Sequence, residues 1–425
     1  MYNLVKYKEH FCGEIPLDSL QISGEHEFYF PKRRENSRYK CVGIYPGETS
    51  CRVELSYFIG VDWISKNQPI YIEPKLNSGS NQTNYLKMLF ESLRFQEASE
   101  SLSELFLIKF DEEHIEIDQK DDLLTPLLIV QFLQLVKAIV RKGVKKSYYK
   151  VEQNIHSRVK GKIQVSKTIK LNHSKSKLLD TYCSFEQFGV NGIENRLIKK
   201  ALLFTQKFLP TLRSFNSDKY TIEAFNYIMP AFEHVTDEVN LNEIKFSKAN
   251  AFYREYESAI KLAKLILKRF GYNISNTQKD GKIKTPPFWI DMSLLFELYV
   301  LGLLKEKYGN AISYQEKANY GYLDFMLNDP DSKIVIDAKY KPQYSNEYII
   351  DDIRQISGYC RDKRILNKMG YLPPDYNKTV LKGLIIYPDG EYLDKDQKET
   401  IMIEKVEPIE EFVELYKMKV RLPAL

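Results

Sequence analysis

Short apolar runs broken by polar residues characterise the first part of the chain. Four runs before about residue 76 are rich in aromatic and β-branched side chains, namely residues 27–30, 41–45, 52–59 and 70–72. Such side chains favour extended strands, because they fit a pleated and partly buried surface. The pattern therefore predicts a β-rich N-terminal domain over residues 1–80.

The apolar pattern takes on a helical period after a polar, glycine-containing break at residues 77–83. Helical periodicity is found at residues 85–93, 195–209 and 249–270. The longest apolar segment, 123–140, contains a proline, two glutamines and a lysine, which favours a buried helix over a membrane span. Residues 81–280 are therefore predicted to form a mainly helical middle region.

Two apolar runs near the start of the last hundred residues are separated by turn-forming residues. Residues 322–327 and 334–338 are the apolar runs, and Asn-Asp-Pro-Asp-Ser lies between them. These residue types favour a turn, so the two runs are predicted to pair as a β-hairpin. Asp337 and Lys339 are two residues apart and share one face, and strand pairing can bring Asp324 beside them.

Two carboxylates and an ammonium at one place suit the hydrolysis of a phosphodiester. Carboxylate oxygens are ligands that Mg²⁺ prefers, and a nearby cation steadies the attacking water and the charged phosphate. The alternative is an ordinary hairpin whose exposed Asp and Lys form a surface ion pair of little energetic value. The Asp337-Ala-Lys339 triplet alone does not decide between them, because such triplets are common in a chain with 28% charged residues.

The segments on either side of the hairpin supply further polar candidates. Glu297 lies within the apolar segment 290–301, and a buried carboxylate needs a partner such as a metal or a lysine. Residues 351–359 predict a helix with an acidic N-terminus, on which Gln355 and Tyr359 lie one turn apart on one face. Both side chains are candidates for contacting a phosphate or a metal-bound water.

The ordered set of these polar residues resembles the core of PD-(D/E)xK nucleases, and the wider chain resembles the McrC subunit of McrBC restriction systems. The segments that carry the second resemblance, in family order, are 72–75 (Ile-Glu-Pro-Lys), 158–163 (Arg-Val-Lys-Gly-Lys-Ile), 195–202 (Asn-Arg-Leu-Ile-Lys-Lys-Ala-Leu), 291–297 and 337–341 (Asp-Ala-Lys-Tyr-Lys). Leu323 departs from the pattern, since a proline often precedes the first aspartate. We expect Asn195 and Arg196 to serve packing rather than catalysis.

The resemblance implies a multidomain α+β protein with a C-terminal α/β PD-(D/E)xK nuclease domain over residues 281–425. It also implies a set of ligands for Mg²⁺ or Mn²⁺, which comprises Asp324, Asp337, Glu297 and the backbone carbonyl of Ala338. Lys339 would orient or activate the water, and Gln355 and Tyr359 would support the site and the substrate backbone.

The activity implied by the resemblance is DNA cleavage within a restriction complex. A separate McrB-like AAA+ GTPase would recognise and translocate double-stranded DNA, and the N-terminal region of this chain would dock on that GTPase and stimulate it. The sequence has no GxxxxGK[ST] loop, so we expect no nucleotide to bind to this chain itself. The alternatives are a stand-alone DNA repair or mobile-element nuclease and a non-catalytic adaptor that regulates the GTPase.

Charge is concentrated in one segment of the middle region. The net charge of +5 is too small to indicate nucleic acid by itself, but residues 141–177 contain twelve Lys or Arg and one acidic residue, Glu152. The candidates for phosphate contacts in this basic segment are Lys145, Lys146, Lys150, Arg158, Lys160 and Lys162. The alternative, about equally well supported by the sequence, is a solvated helix-and-loop face.

The cysteines and histidines indicate which kinds of metal site and which cellular compartment fit the sequence. The five cysteines are scattered without a CxxC spacing, which argues against a disulfide framework or a zinc site and favours a reducing cytoplasm. No histidine follows His234, which leaves acid-and-lysine chemistry for the C-terminal third. The first residues lack an apolar signal core, so we expect no secretion and no membrane partner.

Overall fold

The protein is of mixed α and β class, as predicted. The computed structural model describes residues 4–16, 20, 24–32, 37–77, 83–92, 95–109, 112–118, 124–209, 219–240, 254–276, 282–341, 346–393, 397 and 399–424. The strands are β1 (Val5–Lys8), β2 (Cys12–Pro16), β3 (His26–Lys32), β4 (Ser37–Pro46), β5 (Ser50–Leu55), β6 (Phe58–Ser65), β7 (Gln68–Glu73), β8 (Phe106–Ile108), β9 (Ile115–Asp118), β10 (Ser147–His156), β11 (Lys162–Ile163), β12 (Asp180–Gly189), β13 (Lys282–Thr285), β14 (Phe288–Asp291), β15 (Ile312–Lys317), β16 (Tyr322–Asn328), β17 (Lys333–Ala338), β18 (Lys382–Leu393), β19 (Glu407–Pro408) and β20 (Leu415–Pro423). The helices are α1 (Tyr85–Ser92), α2 (Gln96–Leu105), α3 (Leu124–Lys142), α4 (Val165–Leu171), α5 (Ile193–Phe208), α6 (Lys219–Ile228), α7 (Arg254–Asn276), α8 (Met292–Tyr308), α9 (Asn346–Cys360) and α10 (Lys363–Lys368).

The chain forms two compact units, and the first of them is discontinuous in sequence. Unit 1 comprises Met1–Leu124 and Lys282–Leu425, and unit 2 comprises Thr125–Gly281. This grouping differs from the three successive domains expected from the sequence. The reason is β14, a short and fully buried strand that pairs with β6 on one side and β8 on the other. It joins the N-terminal and C-terminal parts of the chain in one sheet.

Two sheets of unit 1 contain the strands predicted for the N-terminal region. One has the order β1-β7-β6-β14-β8, and the other has the order β2-β5-β4-β3. Their apolar faces share a core that includes Phe30, Val42, Phe58, Ile70 and Trp289. Every second position along β5 is buried, as expected of a strand that packs one face on a core.

A six-stranded sheet in unit 1 carries the predicted hairpin. Its order is β15-β16-β17-β18-β20-β19, in which β16 and β17 are antiparallel and β17, β18 and β20 are mutually parallel. The hairpin and its turn at residues 329–332 are confirmed. Strand β15, which pairs with β16 on the outer side, was not predicted.

The helices that flank this sheet match the predicted segments. Helix α8 is buried almost all round, and Asp291 caps it by accepting a hydrogen bond of 2.9 Å from the Leu294 amide. Helix α9 packs against β17 and β18 and contributes Ile353 and Ile356 to a second core. The two helices thereby fix the backbone around the hairpin.

Unit 2 is less uniformly helical than the sequence predicted. It contains helices α3, α5, α6 and α7, but also a three-stranded antiparallel sheet with the order β10-β12-β11. Parts of the basic segment lie on β10 and β11, so the alternative of a helix-and-loop face does not describe these strands. The period of two along β10 was hard to see in the sequence, because only Ile155 of this strand is fully buried and its other positions are half-buried or exposed. Of the helices that the structure describes, none is long and apolar enough to cross a membrane.

Candidate active site

Asp324 and Asp337 meet on neighbouring strands of the hairpin. The register pairs Phe325 with Ile336, which places the two aspartates opposite each other on one face of the sheet. The Ala338 amide donates a hydrogen bond of 2.9 Å to Asp324 Oδ2, across the position where the ladder between the strands ends. The hairpin therefore brings both predicted acids and the Ala338 peptide together.

Lys339 completes this arrangement at the end of β17. Its Nζ lies 2.8 Å from Asp337 Oδ2 and donates a hydrogen bond of 2.7 Å to Gln355 Oε1 on α9. Its backbone amide donates a bond of 2.8 Å to the Ile386 carbonyl on β18. The ammonium is thus held from two sides, and Gln355 lies where the sequence placed it.

The Asp337 carboxylate is buried, and its charged partner is the Lys339 ammonium. Its side chain is 1% exposed, and neither oxygen receives a hydrogen bond of good geometry from the described part of the chain. Burial raises the pKa of Asp337, and the attraction of Lys339 offsets that effect only in part. A buried carboxylate in this state favours a proton or a cation.

The pKa of Asp324 is raised both by burial and by neighbouring negative charges. Burial raises the pKa of Asp324 well above its usual range, and the negative charges of Asp337 and Glu297 raise it further. At Lys339, burial lowers the pKa, but the two aspartates more than compensate and leave it above its ordinary value. The local balance of two acids and one base leaves the site attractive to a second positive charge.

Glu297 stands apart from the aspartate pair. Its Oε1 accepts a hydrogen bond of 3.2 Å from Gln315 Nε2, which also contacts the Tyr314 hydroxyl at 3.0 Å. Within the described ranges, no three His, Cys, Asp or Glu side chains lie close enough together to hold a metal. Glu297 therefore acts on Asp324 through its charge rather than by joining it in a direct cage.

Gln315 is a site residue that sequence reasoning missed. It lies on β15 between two residues paired with Phe325 and Leu323, which places it opposite Asp324. Its φ of 51° is in the left-handed region that residues other than glycine rarely adopt. No local motif indicated this position, because β15 itself was not predicted.

Tyr359 supports the hairpin from α9. Its hydroxyl donates a hydrogen bond of 2.9 Å to the Tyr322 carbonyl at the start of β16, and burial raises the pKa of Tyr359. Asp352, one turn before Gln355 on α9, pairs with Lys341 at 2.7 Å and raises the pKa of Asp337 by its charge. Asp352 was visible in the sequence only as part of an acidic helix start.

The cations of the basic segment in unit 2 differ in their contacts and in their exposure to solvent. Lys145 pairs with Glu194 at 2.6 Å, Lys150 pairs with Glu152 at 2.7 Å, and Lys160 lies 4.1 Å from the centre of the Phe185 ring. Five of the six candidates are exposed, namely Lys146, Lys150, Arg158, Lys160 and Lys162, and Lys145 is half-buried. Tyr148 and Phe188 are also exposed, and their ring centres are 5.1 Å apart.

Asn195 and Arg196 have the packing role expected from the sequence. The buried Asn195 amide donates to the carbonyls of Lys145 and Val190 at 2.8 and 2.6 Å and accepts from the Tyr256 hydroxyl at 2.9 Å. Arg196 Nε donates 2.9 Å to the Asn191 carbonyl. These bonds join β10, α5 and α7 within unit 2.

Comparison with known proteins identifies the family of the chain. Residues 53–368 match the family described as McrBC 5-methylcytosine restriction system component, which covers the hairpin, α8 and α9. The chain belongs to this McrBC family. No curated protein gives a significant match.

Two solved structures from Thermococcus gammatolerans resemble this McrBC family member. A half-complex of McrB AAA+ hexamers with bound McrC shares 15% identity with it, covers 99% of this chain and 95% of the other, and has a TM-score of 0.35. A cryo-EM structure of the McrBC complex shares 14% identity, covers 71% and 87%, and has a TM-score of 0.29.

Proposed function

We propose that this chain is the Mg²⁺-dependent DNA endonuclease subunit, of the McrC type, in a McrBC restriction complex. The observation that carries the proposal is the pairing of the half-buried Asp324 with the buried Asp337, with Lys339 in contact with Asp337. That trio, with Glu297 before it and Gln355 after it, has the order and the face expected of a PD-(D/E)xK core.

The residues of the trio fit a small divalent cation. Mg²⁺ is commonly held by one or two carboxylates while water and substrate phosphate supply the other oxygens, so a third acidic side chain is not needed. The buried oxygens of Asp337 and the end of β17 at Ala338 suit this role. When bound, Mg²⁺ or Mn²⁺ would activate water and offset charge on the phosphate.

Lys339 supplies the positive charge that the protein itself brings to the reaction. Asp337 and Gln355 hold its ammonium in one orientation, so little reorganisation is needed when charge develops on a phosphate oxygen. Gln355 accepts from Lys339, and its side chain also forms a hydrogen bond with Tyr359, so it links the ammonium to the tyrosine that supports the hairpin. Tyr359 keeps β16 in place and thereby keeps Asp324 opposite Asp337.

The partner in this proposal is a separate McrB-like AAA+ GTPase. Membership of the McrBC family supports it, and so does the lack of any phosphate-binding GxxxxGK[ST] loop in the sequence. The N-terminal region would dock on the GTPase, and the exposed cations Lys146, Arg158 and Lys162 would contact the phosphates of double-stranded DNA.

The proposal is tested by cleavage of plasmid DNA, with and without 5-methylcytosine, by the complex supplied with GTP and Mg²⁺. Asp324→Ala and Asp337→Ala should abolish cutting, because each removes a hard oxygen ligand. Asp331→Ala, an exposed substitution in the turn of the same hairpin, is the matched control and should cut normally. Cleavage that survives both site substitutions would refute the site, and strong GTP-independent cutting by the lone chain would favour a stand-alone nuclease.

A further inference from the structure

A buried cluster links the N-terminal strands to the end of β17. Glu9, directly after β1, is 2% exposed, and its Oε1 accepts hydrogen bonds of 2.9 Å from the Tyr340 hydroxyl and 3.0 Å from the Lys75 amide. Lys75 lies two residues beyond β7, which pairs with β1 in parallel. We name Glu9, Lys75 and Tyr340 the tyrosine clamp.

Lys75 holds the backbone of Tyr340 as well as its ring. Its Nζ donates a hydrogen bond of 3.1 Å to the Tyr340 carbonyl and lies 4.2 Å from the centre of the ring. Burial lowers the pKa of Lys75 to about 8, against the opposing influence of Glu9. Glu9 is buried and Lys75 is half-buried, so removing these two groups from water costs free energy that their contacts with Tyr340 and with each other must offset.

Tyr340 also packs against the helix that carries Glu297. The Tyr340 ring centre lies 5.9 Å from that of Phe296, the residue that precedes Glu297 on α8. Tyr340 therefore has its hydroxyl, its carbonyl and its ring engaged. The residue that follows Lys339 has little freedom to move, and neither has the peptide that joins the two.

We infer that Glu9 and Lys75 are positioning residues for Lys339, which act through Tyr340 to fix the end of β17. This inference rests on the proposed nuclease function. The inference assigns a role to the Ile-Glu-Pro-Lys segment at 72–75, because Lys75 contacts Tyr340, the residue next to Lys339. It also means that the N-terminal strands are part of the active-site scaffold.

Two substitutions break the clamp in different ways. Tyr340→Phe removes only the hydrogen bond to Glu9, and Lys75→Met removes the ammonium while it keeps an unbranched chain of similar length. Both should lower the kcat of DNA cleavage by the complex, roughly 10-fold for Tyr340→Phe and up to about 100-fold for Lys75→Met, with KM for DNA unchanged. Misplacement of a correctly charged lysine affects the rate and leaves DNA binding intact.

The controls separate positioning from general stability. Lys8→Met removes a lysine of β1 that donates to the Asn77 carbonyl, and Tyr299→Phe removes a buried hydroxyl that donates to the Arg421 carbonyl. Neither bond reaches the hairpin, so both variants should cleave at the wild-type rate. A clamp variant whose kcat falls only in step with its melting temperature would overturn the inference.

Amide hydrogen exchange gives a readout that does not need cleavage. In both clamp variants the Lys339 amide, which bonds to the Ile386 carbonyl, should exchange faster while protection elsewhere in the sheet is kept. Unchanged exchange at Lys339, or a rise in KM in place of a fall in kcat, would overturn the positioning role. A wild-type complex that does not cut DNA refutes the proposed function instead, and the exchange experiment still decides whether the clamp holds Lys339.

Discussion

Asp337→Asn should stabilise the metal-free protein while it abolishes DNA cleavage. The substitution keeps the shape of the side chain and removes a charge that is 1% exposed, while Lys339 Nζ, which lies 2.8 Å from that charge, keeps its hydrogen bond to Gln355. The pKa of Asp337 is raised even with Lys339 beside it, so folding disfavours the charged form. We expect a gain of about 1–3 kcal/mol in the free energy of unfolding at pH 7.

The pH dependence follows from the same shift. A carboxyl whose pKa is higher in the folded state binds its proton more tightly there, so unfolding becomes easier as the pH rises above the ordinary value of 3.8. Between pH 3.8 and the raised pKa of Asp337, the free energy of unfolding of the wild-type protein should therefore fall more steeply with pH than that of Asp337→Asn. The difference between the two proteins should be largest near neutral pH and should vanish in acid.

Urea denaturation with and without Mg²⁺ measures these effects. Asp62→Asn is the matched control, because Asp62 is equally buried but accepts hydrogen bonds of 2.8 Å from the Trp63 amide and 2.7 Å from Trp289 Nε1 and pairs with Lys109 at 2.8 Å. That substitution should destabilise the fold. Mg²⁺ should stabilise the wild type and not Asp337→Asn. An Asp337→Asn protein less stable than the wild type in metal-free buffer would refute the reasoning.

Three further predictions concern catalysis, binding and the partner. Lys339→Met should reduce the maximal cleavage rate by roughly 100-fold or more without moving the midpoint of a Mg²⁺ titration, and a shifted midpoint would make it a metal-site residue instead. Joint replacement of Lys146, Arg158 and Lys162 by alanine should weaken duplex binding for all sequences and lower the salt slope by about 1 for each phosphate that is no longer neutralised, whereas an unchanged slope would show a merely solvated face. With the GTPase present, Asp337→Asn should support GTP hydrolysis at the full stimulated rate, and loss of that stimulation would contradict the proposed division of labour.

Local signals in the sequence were sufficient to predict the hairpin and the helical segments on either side of it. The turn residues between two apolar runs determined the hairpin, and the apolar segment 290–301, which contains Glu297, indicated the first part of α8. Antiparallel pairing then placed Asp324 opposite Asp337 without further information. These features depend on contacts between residues close in the chain, for which periodicity and turn chemistry are good guides.

Features that depend on distant residues could not be predicted. The contact of Glu9 with Tyr340 joins residues 331 positions apart, and no local pattern indicates it. Gln315 reaches the site through an unusual backbone angle on a strand whose mixed composition hides its period. The strand character of β10 was hidden too, because only Ile155 of this strand is fully buried and a solvated strand resembles any other polar surface in composition.

The position of β14 between β6 and β8 has a consequence for how the protein acquires its structure during synthesis. Strands β6 and β8 are complete once Ile108 has emerged, but their common neighbour begins only at Phe288. At about 5–20 residues per second, the ribosome needs on the order of ten seconds or more to supply it. In that interval unit 2, which is continuous, can fold first, while β6 and β8 both lack their shared neighbour and leave strand edges where strands of other chains can pair. We therefore expect aggregation in cells to depend more strongly on translation speed and chaperone supply than on the stability of the folded protein.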